Sequence, residues 1–313
     1  MRRRGTVRGF QPKRLEERMD KLVGIVGVGI MGSAMARNLI KDGFRVVGYD
    51  VSDAALAALE QAGGERARSP REVAERTSVL ITSLPSVAAL HAAVSGNDGL
   101  MTAGGDGQIV IECSTLPLAD KLEAYETLKK RGKVMLDCPV SGTGAQAARK
   151  DLIVFASGDK AAYEHCAAVF AGMSRGQKYL GPFGNGSKMK YIANHLVTIH
   201  NVAAGEAITL GLKAGLDPQL VYDTISDSAG SSRMFQVRGP LMVEGRYDEP
   251  TATHKTHLKD IGIISAFAGS VECPTPMFAL AVQYYHAAVG QGLGNQDTAS
   301  VCAVAERLAG VKR

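Results

Sequence analysis

Over the first half of the chain, short apolar runs alternate with segments of helical period. Over the second half, helix-period segments stand alone. Residues 22–26 form an apolar run, as a strand buried on both faces requires. Met31, Met35, Leu39 and Ile40 then recur at helical spacing, Gly43 stops the helix, and a second run ends at Asp50. Ser52 caps a helix over 53–61, a weak strand follows at 65–68, and Ser69-Pro70 opens a helix to Arg76. The run at 79–84 stops at Pro85, a helix covers 86–94, and a glycine-rich turn covers 96–107. Further strands are expected at 109–113, 134–138, 152–156 and 178–180, with helices at 117–131 and from Asp159 to about Phe170. From 186 to 214 no proline interrupts a helical pattern, which Gly215 ends; Asp217-Pro218 opens the next helix, and helical patterns run to the C-terminus. The pattern predicts an α/β fold, a doubly wound and mainly parallel sheet, followed by an all-α domain. The boundaries it sets are an extension at 1–18, the α/β domain at 19–181 and the helical domain at 182–313.

Charge changes this picture little. Residues 1–18 carry seven basic and two acidic side chains, a balance of +5 that equals the net charge of the whole chain. The remainder is neutral, so the basic pI does not mark the folded body as a nucleic-acid binder. The first 18 residues lack apolar periodicity and read as a disordered basic extension, with Met19 as an alternative start. Five cysteines are scattered without metal-site spacing, which favours a reducing, cytoplasmic setting and no metal. No apolar run reaches the roughly 18 residues that a membrane-spanning helix needs.

The chemistry begins in the first turn. Gly27, Gly29 and Gly32 make a G-x-G-x-x-G run between strand and helix, and Asp50 closes the next strand. In that context the glycines serve a tight turn, a close backbone approach to a pyrophosphate, and packing of helix on sheet. The backbone of Ile30 and Met31 opens the helix whose N–H groups would meet the pyrophosphate. A carboxylate at Asp50 accepts from ribose hydroxyls and repels a 2′-phosphate, so NAD is favoured over NADP. Arg45, at the start of that strand, is badly placed to offset it. At the entrance to the helical half, Lys190 and Asn194 lie four residues apart on one helix face. A lysine beside a nicotinamide can move a proton to a carbonyl or from an alcohol.

These stretches occur in the order of one family. The glycine loop, Pro139-Val-Ser141-Gly142-Thr143-Gly144, the run from Gly184 through Lys190 to Asn194, and Lys259-Asp260 resemble the β-hydroxyacid dehydrogenases over residues 21 to about 308. Leu84-Pro85, Ser114-Thr115 and the late Gly292-Leu-Gly294 run to Asp297 extend the likeness. The resemblance implies a Rossmann domain joined to a helical domain that supports homodimers or homotetramers. It implies Lys190 as the catalytic lysine with Asn194 as companion, and Ser141 and Gly142 on a substrate carboxylate. Leu84, Pro85, Thr115 and Lys259 would lie at the cofactor. The expected reaction interconverts a small β-hydroxy acid and its semialdehyde or oxo acid; the alternatives are a short-chain semialdehyde or glyoxylate reductase, or a non-catalytic dinucleotide-binding scaffold.

Departures from the family pattern bear on the substrate. Thr143 replaces a second glycine, Cys138 a small alanine and Glu112 an aspartate, and Lys150-Asp151 replaces a small, glycine-led pair. Arg233 offers a second anion contact from the helical half. Rival readings carry less. Tyr125 and Lys129 match a Y-x-x-x-K pair, but the G-x-x-x-G-x-G opening that accompanies it is absent. His254 and His257 make H-x-x-H without the acids or cysteines of a metal site. Scaffold relatives of this fold typically lose the lysine that Lys190 matches, and imine reductases usually carry another residue there.

Overall fold

The computed structural model describes residues 21–313; the basic extension read over 1–18 lies outside the described residues. The described chain forms two compact units, divided after Lys190. That division falls inside a helix, later than the boundary read at 181.

In the first unit, β1 (Leu22–Val26), β2 (Arg45–Tyr49), β3 (Glu65–Arg66), β4 (Val79–Thr82), β5 (Ile109–Glu112) and β6 (Val134–Asp137) make one parallel sheet in the order β3-β2-β1-β4-β5-β6. Its crossovers run through α1 (Ile30–Lys41), α2 (Asp53–Gln61), α3 (Pro70–Arg76), α4 (Val87–Ser95) and α5 (Leu118–Lys129). Side chains alternate between two cores. Val23, Ile25, Val46, Ile81, Ile111 and Leu136 face one, with Leu39 and Phe170; Leu22, Val26, Val47, Leu80, Val110 and Met135 face the other, with Val73 and Leu128. Burial on both faces explains why these strands read as unbroken apolar runs. Strand order reverses at β1 and β4, so a crevice opens beyond their carboxyl ends.

The later strands differ from expectation. β7 (Val140–Ser141), β8 (Ile153–Ala156) and β9 (Gly176–Tyr179) form a second sheet, with β7 antiparallel to β8 and β8 parallel to β9. The four residues of β8 alternate between half-buried and buried, unlike the fully buried central strands, so it packs on one face only. α6 (Gly144–Ala148) joins β7 to β8, and the single helix expected after Asp159 is two, α7 (Lys160–His165) and α8 (Ala167–Met173). Lys150, after α6, has φ 61°, a conformation cheap for glycine and strained for lysine.

α9 (Asn185–Lys213) leads into the second unit, which contains α10 (Pro218–Ser226), α11 (Arg233–Glu244), α12 (His254–Ser270), α13 (Pro276–Gly290) and α14 (Val301–Ala309). Gly215, at φ 79°, follows α9, and Asp217 Oδ1 accepts from the Leu220 N–H at 3.0 Å to start α10. Buried polar contacts tie the loops down. Asp297 pairs with Arg238 and accepts from the Thr251 and Ala299 N–H groups, while Asn201 donates to Tyr285 Oη at 3.1 Å. Among the described residues no helix is long and apolar enough to cross a membrane.

Candidate active site

The turn from β1 to α1 is built so that only glycine fits at two points. Gly27 has φ 91°, and a Cβ there would lie 2.2 Å from the Ser83 carbonyl oxygen. A Cβ on Gly32 would lie 1.9 Å from the Gly27 carbonyl oxygen. Gly29 is the opposite case: a Cβ would meet nothing within 4 Å. Gly29 is the N-cap of α1 and supplies no side-chain cap, and the first turn carries no acid. The helix therefore presents its first N–H groups, at Ile30, Met31 and Gly32, beside open space, which fits an anionic pyrophosphate. Ile30 is 79% exposed at this edge. Asp50 closes the cradle from β2: Oδ2 accepts from the Val28 N–H at 2.8 Å and Oδ1 from the Ser52 N–H at 2.9 Å. Both strand end and loop are thus fixed where a dinucleotide ribose is expected.

The neighbouring strand ends are linked in turn. The Leu84 N–H donates to Ser114 Oγ at 2.8 Å, which ties the half-buried Leu84 and exposed Pro85 to the half-buried Thr115. The Ser141–Thr143 segment reaches the same edge through α6. A Cβ on Gly144 would lie 2.6 Å from Ile30 Cγ2, and Asn38 of α1 donates to the Ala147 carbonyl at 2.8 Å. Gly142 has φ 139°, and a Cβ there would press within 2.5 Å of Leu152. Thr143 is the N-cap of α6: its N–H donates to Gln146 Oε1 at 3.0 Å and its Oγ1 accepts from the Gln146 N–H at 3.3 Å. With both of those positions engaged, the hydroxyl proton of Thr143 is the donor it retains.

Lys190 is only 8% exposed, in the second turn of α9. That helix starts in close contact with both sheets. A Cβ on Gly186 would lie 2.3 Å from the Phe155 carbonyl oxygen and 2.5 Å from that of Asp137. The Gly186 N–H donates to Ser157 Oγ at 2.9 Å and the Ser187 N–H to Asp137 Oδ2 at 2.7 Å. One turn beyond Lys190, Asn194 Nδ2 donates to Asp260 Oδ2 at 2.9 Å, and Lys259 Nζ lies 3.3 Å from the other oxygen of that carboxylate. With its amide nitrogen held by Asp260, Asn194 keeps its Oδ1 as an acceptor for a further partner.

Models of two known domains cover the chain. Residues 22–182 match the NAD-binding domain of 6-phosphogluconate dehydrogenase, and residues 184–305 the NAD-binding domain of NADP-dependent 3-hydroxyisobutyrate dehydrogenase. The L-threonate dehydrogenase of Cupriavidus necator is 34% identical over 90% of this chain and 95% of its own. The chain belongs to the β-hydroxyacid dehydrogenase family. This β-hydroxyacid dehydrogenase is also 31% identical to the chloroplastic glyoxylate/succinic semialdehyde reductase 2 of Arabidopsis thaliana, over 89% of this chain and 78% of that protein. A crystal structure of 3-hydroxyisobutyrate dehydrogenase from Salmonella typhimurium superposes with a TM-score of 0.81 at 31% identity, covering 90% of this chain and 99% of that one. The protein is an NAD(P)-dependent oxidoreductase acting on CH–OH, and it interconverts a hydroxy acid with the corresponding semialdehyde or oxo acid.

Most of the other reactive side chains that the sequence singles out are occupied in packing. Burial pushes the Cys138 thiol well above its ordinary value and Cys166 up to about 12, so neither is a thiolate nucleophile. His254 Nε2 lies 2.8 Å from Ser300 Oγ, and His257 Nε2 lies 2.9 Å from Thr198 Oγ1. Among the described residues no group of His, Cys, Asp and Glu is arranged to hold a metal. Tyr125 packs on Phe183 with ring centroids 4.5 Å apart. Arg233 is exposed in the first turn of α11, behind the Ser232 cap. Asp137, Ser157 and Ser187, which fix the start of α9, escaped the sequence reading; the acid at a strand end just ahead of Pro139 was the available signal.

Proposed function

We propose that the enzyme oxidises a small β-hydroxy acid to its semialdehyde or oxo acid, and reduces it in reverse, with Lys190 as general acid and base. The observation that carries this reading is Lys190 itself: a buried lysine one helical turn ahead of an asparagine whose amide is oriented by Asp260. A bound nicotinamide supplies the hydride acceptor, or the donor in reverse. Neutral Lys190 takes the hydroxyl proton as the carbonyl forms, and its ammonium returns that proton in reduction. Asn194 Oδ1 accepts from the lysine or the substrate hydroxyl and keeps that proton path aligned. Ser141 and Gly142 hold the substrate carboxylate, with Arg233 as a second anion contact. Thr143, whose N–H is given to Gln146, contributes its hydroxyl proton instead. Lys259 supports the cofactor side, and Thr115, Leu84 and Pro85 line the nicotinamide.

NAD is the preferred cofactor in this reading. Asp50 stands where the ribose is expected, and Arg45 is paired with Glu65 at 2.9 Å. The exposed apolar side chains of the helical unit, among them Leu210, Met277 and Leu280, support self-association into a homodimer or homotetramer. The test is a screen of NAD and NADP against L-threonate, and of NADH and NADPH against glyoxylate, succinic semialdehyde and tartronate semialdehyde. Turnover of at least one with a higher kcat/KM for the non-phosphorylated cofactor is expected. Dinucleotide binding without turnover of any of them would favour a scaffold.

A further inference from the structure

A connected set of buried polar groups lies at the carboxyl ends of β5 and β6, outside the reaction just described. Lys121 projects from α5 with no exposed side-chain surface. Its Nζ lies 2.6 Å from Glu112 Oε2 and 2.8 Å from Asp137 Oδ1, and it donates to Ser187 Oγ at 3.2 Å. Burial opposes its charge, but the Asp137 and Glu112 carboxylates outweigh that and hold it as an ammonium ion.

Each carboxylate has a second attachment. Glu112 Oε1 accepts from the Ser114 N–H at 3.0 Å, and Ser114 Oγ accepts from the Leu84 N–H. Asp137 Oδ2 accepts from the Ser187 N–H, and Oδ1 accepts from the Ser187 hydroxyl at 2.7 Å. One arm therefore ends on the Leu84 and Ser114-Thr115 edge of the crevice. The other ends three residues ahead of Lys190, on the same face of α9. Apolar packing would fill this space with less desolvation than a buried lysine and two carboxylates, so the ions contribute geometry rather than bulk stability.

We infer that Lys121 is a positioning residue, which through Glu112 and Asp137 holds the Ser114-Thr115 edge of the dinucleotide crevice in register with the turn of α9 that carries Lys190. The consequence for turnover rests on Lys190 being the proton relay; the mechanical link does not. A misplacement of about 1 Å between reacting groups can cost on the order of a hundredfold in rate.

Lys121→Met keeps the length of the stem and removes the charge. Lys121→Met with Glu112→Gln removes one carboxylate together with the cation and leaves the net buried charge unchanged, which provides a folded variant if the single one fails. Hydrogen exchange on the full chain is read first, because it needs no substrate. Exchange is expected to quicken at Leu84, Ser114, Gly186 and Ser187 together, with the α1 amides unchanged. Acceleration on only one arm, or on neither, overturns the link. With NADH and succinic semialdehyde, or NAD and L-threonate, whichever wild type turns over, kcat should fall roughly tenfold to a hundredfold. KM for the cofactor should hold, and the primary isotope effect, from 4-deuterated NADH in reduction or from L-threonate deuterated at the oxidised carbon, should grow. Joint exchange changes with unaltered kcat and isotope effect would sink the positioning role, and a Lys190→Ala control that retains full activity would locate the failure in the relay instead.

Discussion

Each unit buries an ion cluster, and the two are attached to different things. Lys121, Glu112 and Asp137 connect a strand-end loop beside the cofactor crevice to the first turn of α9. Arg238 and Asp297 connect α11 to backbone N–H groups at Thr251 and Ala299, within the helical unit and among loop segments that carry no candidate catalytic group. Both clusters carry the cost of taking charge from water, offset by pairing and hydrogen bonds. The difference is what moves when each is broken. Loss of either should lower stability, and only loss of the first should also lower turnover.

Asp297→Asn is the most severe way to test the contrast. It leaves the Arg238 guanidinium buried without its carboxylate, at about 3–5 kcal/mol. A fall in Tm of roughly 10 °C follows by calorimetry, with kcat unchanged well below the transition. A kcat loss matching that of Lys121→Met would erase the distinction between the clusters.

Acid gives a milder perturbation of the same unit. Burial holds His254 down at about 4, against an ordinary value near 6.5, with Asp297 only partly opposing it. The histidine is thus neutral in the folded state where the unfolded chain already binds a proton. Its contribution is fully present above about pH 6.5 and is lost as pH falls towards about 4. Denaturant titrations should show a loss of about 1–2 kcal/mol between about pH 7 and about pH 5. His254→Gln should flatten that slope, and an unchanged slope would assign it to other groups.

Asp260→Ala separates turnover from stability on a smaller scale. Releasing the Asn194 amide should lower kcat roughly tenfold, near 1.4 kcal/mol, with little change in KM for NADH. The smallest effect is expected at the cofactor loop. Asp50→Ser should narrow the preference for NADH over NADPH by about 1 kcal/mol or less, as for a partly exposed charge. An unchanged ratio would remove Asp50 as the discriminator.

What was legible in the sequence follows from how local each feature is. The β1–α1 turn was readable because its three glycines, the apolar strand and Asp50 lie within one short stretch of chain. That the sheet is mainly parallel followed from runs buried on both faces. The second sheet was not legible, because β7 is only two residues long and β8 and β9 read as further strands of the first sheet. Only the alternating burial of β8 distinguishes it. Lys121 left a fainter trace. Its spacing from Leu118, Ala124 and Leu128 puts it on the buried face of α5, where a lysine needs carboxylates that only the folded strand ends supply. Thr143 was read as a replacement for glycine that bears on the substrate; its role as the cap of α6 depends on Gln146 one turn away.

The account turns on Lys190. Single-turnover hydride transfer, followed by nicotinamide absorbance in wild type and in Lys190→Ala, tests it most directly. The expected result is a loss of roughly 10²–10⁴ in rate with NADH affinity intact. Hydride transfer at the wild-type rate in the variant, with the same substrate and cofactor, would contradict it.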